Sequence, residues 1–414
     1  MALKRREKPV AAIRLEPKRS HLAFEPNYVT EPGEILQETL DELGMTQKEL
    51  AERTGYTRKH VNWLISGKAR ITHDAAMRLE KVTQVPARFW NNLESQYQER
   101  KAHLKAAADA SRHAGWLREI PVGELVKRGA IEKRSNPAAQ IDQLLSFFGV
   151  ASVDAWYAGW TNKQLAFRQA AGAEQGTGRI AAWVRLGELE AAKTDCAPYR
   201  EEQFRAALAT IRTLTTLPPR EFVPRMKALC AASGVAFVLV PEIPGSRVSG
   251  ASRWTGDSTA MLALNLRGKT NDRFWFTFFH EAGHIVHDDR NQVFVDLDCA
   301  DDPRERQANR FATEILIPPP FEPELSTLTT QARVEAFARR IGIHPGIVVG
   351  RLRHDGIISP TSMNGLIEDL SWGDLEREPQ PAPRDAALSG SGKGQKTRKP
   401  TATAGATPFA RRPD

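Results

Sequence analysis

The chain has 414 residues, 41% hydrophobic, 26% charged and 7% aromatic, which is ordinary soluble composition with room for two or three domains. No stretch approaches the roughly 18 uncharged apolar residues of a membrane span, and the opening MALKRREKPV has no apolar run behind it, so neither a membrane segment nor a signal peptide is expected. Cys196, Cys230 and Cys299 are odd in number and widely spaced, which excludes a disulfide framework or a cysteine zinc cluster and makes a reducing cytoplasm the expected setting.

The net charge of +8 sits in the ends: residues 1–20 and 384–414 each hold seven basic and two acidic side chains, and the remainder nets −2. Basic ends suit an anionic partner, or simply solvation. Residues 1–30 are a basic arm without periodicity. Residues 31–97 carry apolar residues at spacings of three and four and predict a bundle of short helices. Residues 98–220 are also helical, with GRIAAWVRLGELEAAK and REEQFRAALATIRTL amphipathic. Trp116, Trp156, Trp160 and Trp183 in this segment suit a packed core better than an aromatic pocket.

Residues 221–376 change texture. VAFVLV, RVSGASRW and STAMLALNL predict a small sheet of about three strands. The apolar helix RFWFTFFHEAGHIVH follows, then an Asp-rich loop, then the helix RERQANRFATEILI, closed by Pro318–Pro320. QARVEAFARRI and PGIVVGRLRHD predict two more helices. Residues 377–414 have almost nothing to bury and predict a disordered basic tail. The fold class is mainly α with a small β-sheet: an N-terminal helical domain, a helical middle segment and a C-terminal α+β domain.

TQKELAERTGYTRKHVNWLISGK (46–68) reads as two helices around a Gly turn. Thr46 and Thr57 are N-caps, Gly55 fits the turn, and Val61, Leu64 and Ile65 form the inner face of the second helix. That is a helix-turn-helix, whose second helix is sized for a DNA major groove. Residues 54–73 hold Arg58, Lys59, Lys68 and Arg70 and no acid. Arg58, Lys59, His60, Asn62 and Lys68 are therefore candidates for base edges and phosphates, with Gln47 at the start of the first helix. PGEILQETLDELGMTQKELA with GKARITHDAAMRLEKVTQVPARFWNNLESQY resembles the Xre-type antitoxin and repressor family, in particular its HigA-like branch, over residues 31–97. The resemblance implies a five-helix domain that binds a palindromic double-stranded operator as a homodimer.

The second motif is His280-Glu281-Ala-Gly-His284. Two histidines at i and i+4 share one helix face and can hold one zinc ion, and Glu281 is placed to act as its general base. A third ligand is needed. Glu305, on the next predicted helix, is the leading candidate, with Asn309 one turn on as its supporting hydrogen-bond group. His287, Asp288, Asp289, Asp296 and Asp298 are rivals.

LALNL, Arg273, FTFFHEAGH, the pattern E-x-x-A-N-x-F-A-x-x-I-L-I-P and RIGIHPGIVVGRLRHDG together resemble the ImmA/IrrE-type metallopeptidases over about residues 220–357. The resemblance implies a gluzincin-like zinc endopeptidase, with ligands His280, His284 and Glu305 and base Glu281. Known relatives cut an Xre-type repressor and so switch genes on. Many carry a second Glu where this chain has Gln307. An extended substrate is expected to pair with the strand at 259–266. Arg273 is a candidate oxyanion donor, or else a salt bridge that positions the helix.

The combined expectation is a cytoplasmic, nucleoid-associated regulator with a zinc endopeptidase domain. Its protein substrate would be an Xre-type repressor or a toxin–antitoxin partner. The alternative is an Xre-type transcription factor or antitoxin whose C-terminal zinc-binding domain is a non-catalytic sensor. That reading gives no reason to keep Glu281.

Overall fold

A computed structural model describes residues 30–159, 176–268, 270–287, 293–295 and 303–375. The basic arm, the tail from 377 onward, Trp160 and Cys299 lie outside the described residues, as do Asp288, Asp289, Asp296 and Asp298.

Five helices open the chain: α1 (Pro32–Glu42), α2 (Gln47–Thr54), α3 (Arg58–Ile65), α4 (His73–Thr83) and α5 (Ala87–Arg112). Their starts are written locally. Thr46 accepts from the Glu49 N–H at 3.2 Å while the Glu49 carboxylate accepts from the Thr46 N–H at 3.0 Å, a reciprocal cap. Gly55 ends α2 at φ 74°, where a side chain would be strained. Thr57 caps α3 by accepting from the His60 N–H at 3.2 Å. Leu36, Leu40, Leu50, Val61, Leu64, Leu79 and Trp90 close one small core.

α5 is 26 residues long, about 39 Å at 1.5 Å per residue. Its first half packs on α1 and α4, and its far end meets α7 (Pro137–Phe148). Residues 101–106 between these contacts are exposed, so the helix crosses solvent between two bodies. Beyond it lie α6 (Val122–Lys127), α7 and a helical stretch over 153–159. Trp116 and Trp156 meet edge-to-face at 5.3 Å and both pack on Phe148. Trp116, Trp156 and Trp183 are thus core residues, each 2% exposed or less.

The sheet orders its strands β1 (Val235–Leu239), β3 (Ala260–Leu264), β2 (Gly250–Trp254) and β4 (Val293–Val295), with β1 parallel to β3 and the other pairs antiparallel. Three strands lie where the sequence places them. The fourth comes from the loop read as merely Asp-rich; three residues are too few to show a period, and β4 exists through its pairing to β2.

One face of the sheet carries Phe237, Leu262 and Leu264. It packs under α10 (Pro219–Ala232) and α11 (Asn271–His287) through Phe222, Met226, Trp275 and Phe278. The other face carries Val238, Met261 and Ala263 and packs on Ile180, Trp183 and Val184 of α8 (Thr177–Ala191). Gly187 of α8 lies against Met261 and Ala263, and the Trp183 indole N–H donates to Val240 O at 3.1 Å.

α9 (Glu201–Thr213) packs on α10, and Arg212 donates to the carbonyls of Ile315 and Leu316 at 2.7 and 3.0 Å, which end α12 (Pro303–Leu316). A division at residue 221 therefore separates segments that share one core. α13 (Gln331–Ile341), α14 (Pro345–His354) and the short α15 (Trp372–Leu375) complete the unit.

Replacing Thr57 with Ala removes the α3 cap and costs about 1 kcal/mol of local stability. Hydrogen exchange of the α3 amides is expected to quicken roughly five-fold, with the α11 amides unchanged.

Candidate functional site

α11 is an apolar helix with an ionisable face. Phe274, Trp275, Phe278, Phe279, Ala282 and Ile285 are buried in the core, yet His280, Glu281 and His284 are also buried, at 3%, 0% and 2% exposure. Its N-terminus is anchored through Asn271, which donates to His344 Nδ1 at 2.8 Å and whose own N–H donates to Glu368 O at 2.9 Å.

α12 crosses α11 at Gly283. A Cβ there would come 3.1 Å from Ala308 Cα and from the Phe311 ring, so glycine sets how closely the helices approach. That closeness brings Glu305 onto the histidines. Its two carboxylate oxygens lie 3.1 Å from His280 Nε2 and 3.4 Å from His284 Nε2, and the two Nε2 atoms are 3.1 Å apart. Asn309, one turn beyond Glu305, places its Oδ1 at 2.8 Å from His280 Nδ1. Assigning the proton to Nδ1 leaves the Nε2 lone pair facing Glu305 and His284.

This donor set fits zinc. Two ligand atoms about 2.05 Å from a tetrahedral zinc lie roughly 3.3 Å apart, close to the three separations here. Lone pairs and a carboxylate converging on one buried point repel unless a cation lies between them. Among the described residues, His280, His284 and Glu305 form the one group of three metal-capable side chains, with ligand atoms within 4.8 Å of one another. His287 packs edge-on against Phe311 at 5.2 Å and is not in that group.

Burial pushes the Glu305 carboxyl up, but in the metal-free site protonated imidazoles at His280 and His284 donate to it from Nε2, and these hydrogen bonds and charges outweigh burial and hold the group down at about 2. A lowered value means that the ionised form is favoured in the fold. The contribution is complete above the ordinary value near 4.5 and disappears as pH falls through about 2.

Glu281 is seated by the sheet. A Cβ on Gly250 of β2 would come 2.8 Å from Glu281 Cγ and Oε1 and 2.9 Å from Thr277 Cγ2. Sequence reasoning did not single out Gly250. The available signal was a glycine inside a strand pattern, which marks close approach.

In the N-terminal bundle Arg58, Lys59, Asn62, Lys68 and Arg70 are exposed on α3 and its exit. His60 is half-buried and tilts against Tyr56 with ring centres 4.6 Å apart. Gln47 donates to Gln37 at 2.8 Å. Trp63 was also missed: it is 39% exposed on α3, with Lys59 Nζ 4.8 Å above its ring.

Comparison with known proteins finds relatives of both regions of the chain. The helix-turn-helix profile matches residues 36–90, and that of the IrrE N-terminal-like domain, a peptidase M78 profile, matches residues 237–353. The uncharacterized HTH-type transcriptional regulator YddM of Escherichia coli (strain K12) is 32% identical over 81 residues, 20% of this chain and 84% of that protein. The HigA-family addiction module antidote protein of Coxiella burnetii is 32% identical over 20% of this chain and 92% of that one, TM-score 0.19. Pseudomonas aeruginosa antitoxin HigA, solved with the higBA promoter, is 32% identical over 19% and 86%, TM-score 0.19. The chain belongs to the Xre-type helix-turn-helix regulators, fused to an IrrE-like domain. It is thus a DNA-binding regulator carrying a metallopeptidase-type fold. No described helix is long and apolar enough to cross a membrane.

Three expectations for the IrrE-like domain change. β3 is flanked by β1 and β2, so its backbone is already paired and no substrate strand can add to it. Arg273 lies over Gly268, eight residues before Glu281 and about 12 Å from it along the helix axis. It forms no salt bridge with a described residue, and that distance does not suit an oxyanion donor. Gln307 is exposed and roughly 200° around α12 from Glu305, so the ligand geometry does not use that position.

Two outcomes are expected. The Glu305 carboxyl, held at about 2, stays ionised across pH 4–8, so zinc affinity lost on acidification in that range should be lost to protons competing at the imidazole ligands and not at Glu305. Calorimetric titration of the wild type across pH 4–8 reads the loss, and Glu305→Gln should weaken binding throughout without removing its pH dependence. Gly250→Ala should displace Glu281 while elemental analysis still finds one zinc per chain.

Proposed function

We propose that this protein is a DNA-bound transcriptional regulator whose C-terminal domain is a zinc-dependent endopeptidase. It would cut a repressor or antitoxin-like protein and so switch gene expression. The observation that carries the reading is the convergence of His280, His284 and Glu305 beside a buried Glu281. His280, His284 and Glu305 would hold the ion, and Asn309 would fix the His280 ring. Bound there, zinc supplies an activated water and polarises a carbonyl. Glu281 would take the proton from the attacking water and return it to the leaving amine. The DNA partner is a duplex operator, read by a homodimer through α3 in a nucleoid-associated cytoplasmic setting. Arg58, Lys59, Asn62 and Lys68 supply contacts, and Gln47 and His60 are the less exposed members of that set.

One observation favours the sensor alternative: His280, Glu281 and His284 are each 3% exposed or less, whereas a catalytic metal needs an open position. The Glu281→Gln protein separates the two readings. It should keep one zinc and full duplex binding while cleavage falls by at least about 100-fold, and His284→Ala should lose the zinc. A Glu281→Gln protein with undiminished regulatory output would establish the sensor reading instead.

A further inference from the structure

α3 spans eight residues, and its buried side fixes the side that faces out. Val61 and Leu64 are sealed in the N-terminal core. At about 100° per residue, the direction opposite those two passes within about 10° of Lys59, with Asn62 about 50° to one side and Trp63 about 50° to the other. All three are exposed. The outermost strip of the helix therefore pairs a cation and an amide with a large apolar ring, 39% exposed.

The ring does not stand alone. Lys59 Nζ lies 4.8 Å from its centre, a cation–π contact that orders both side chains before any partner arrives. Arg58, Lys68 and Arg70 are exposed around the pair, and residues 54–73 hold no acid. Asp74, the next acid along the chain, is engaged by Arg78 at 2.8 Å and by the Tyr56 hydroxyl at 3.1 Å. An apolar centre inside a cationic rim matches the wall and floor of a duplex groove, with phosphates at the rim and base edges between them. The apolar group that base edges present in the major groove is the thymine C5-methyl.

We infer that Trp63 is a sequence-reading residue, whose indole covers a thymine C5-methyl group while the surrounding arginines and lysines hold the phosphates. The inference rests on the duplex reading of α3 proposed above. It divides the work of the helix: the cations supply affinity that salt weakens, and the ring supplies a base preference that salt does not screen.

The test uses the full-length protein and its Trp63→Ala, Trp63→Phe and Arg58→Ala variants, each selecting from a pool of randomised duplex DNA. The wild type should return a site with thymine at a fixed position. Trp63→Phe should keep that thymine, and Trp63→Ala should accept any base there. Replacing the selected thymine by uracil removes only the methyl group. It should weaken wild-type binding about four-fold, the effect of burying one methyl, and leave Trp63→Ala binding unchanged. The slope of log affinity against log salt should be the same for Trp63→Ala as for the wild type, and shallower by about one for Arg58→Ala. An unchanged selected site in Trp63→Ala, or wild-type indifference to uracil, would overturn the inference. So would a Trp63→Ala protein that binds no duplex, which would make the ring structural, or one altered only in oligomeric state, which would make it a protein contact. Wild-type binding without any base preference refutes the role of Trp63 alone. Wild-type binding to no duplex refutes the α3 reading beneath it.

Discussion

Gly283 faces Ala308 where α11 crosses α12, and the absence of one Cβ lets the two helices approach far enough for Glu305 to reach both histidines. The rest of the C-terminal unit serves that crossing. The Phe and Trp residues of α11 hold it on the sheet. Asn271 pins its start to His344 and Glu368. Arg212 ties the last carbonyls of α12 to α9. Gly250 then leaves room for the Glu281 side chain against β2. Three ionisable groups in a core are costly unless a cation shares them, so the burial that would strain the fold without metal would also hold an ion tightly.

The DNA reader and the metal site are joined by helix rather than by loop. α5 supplies Trp90 to the first core and meets α7 at its other end. α7 packs on α8, and α8 forms the back layer of the sheet that carries Gly250. Every link but one in this path is packed; α5 itself is exposed over residues 101–106 between its two sets of contacts. Under the proposed function, fusion of the reader to the IrrE-like domain would place a cut near the operator, which would suit a substrate bound at the same promoter.

Much of this was legible in the sequence because it is local. N-caps at Thr46 and Thr57, the turn at Gly55 and the i, i+4 histidines each act within a few residues. Glu305 was within reach because its spacing to Asn309 marks a helix face. What escaped depends on contacts between distant segments. The β4 pairing, the packing of α8 behind the sheet and the interior position of β3 are set by tertiary neighbours. Gly250 shows the same limit: a glycine in a strand announces a close approach, but not that the approaching group is Glu281.

The most direct measurement compares new protein N-termini in host cells expressing the wild type or Glu281→Gln, with and without DNA-damage stress, after zinc has been confirmed in both proteins. The account predicts at least one cut site present only with the wild type, in a DNA-bound or antitoxin-like protein. Identical N-terminal profiles under every condition would contradict it.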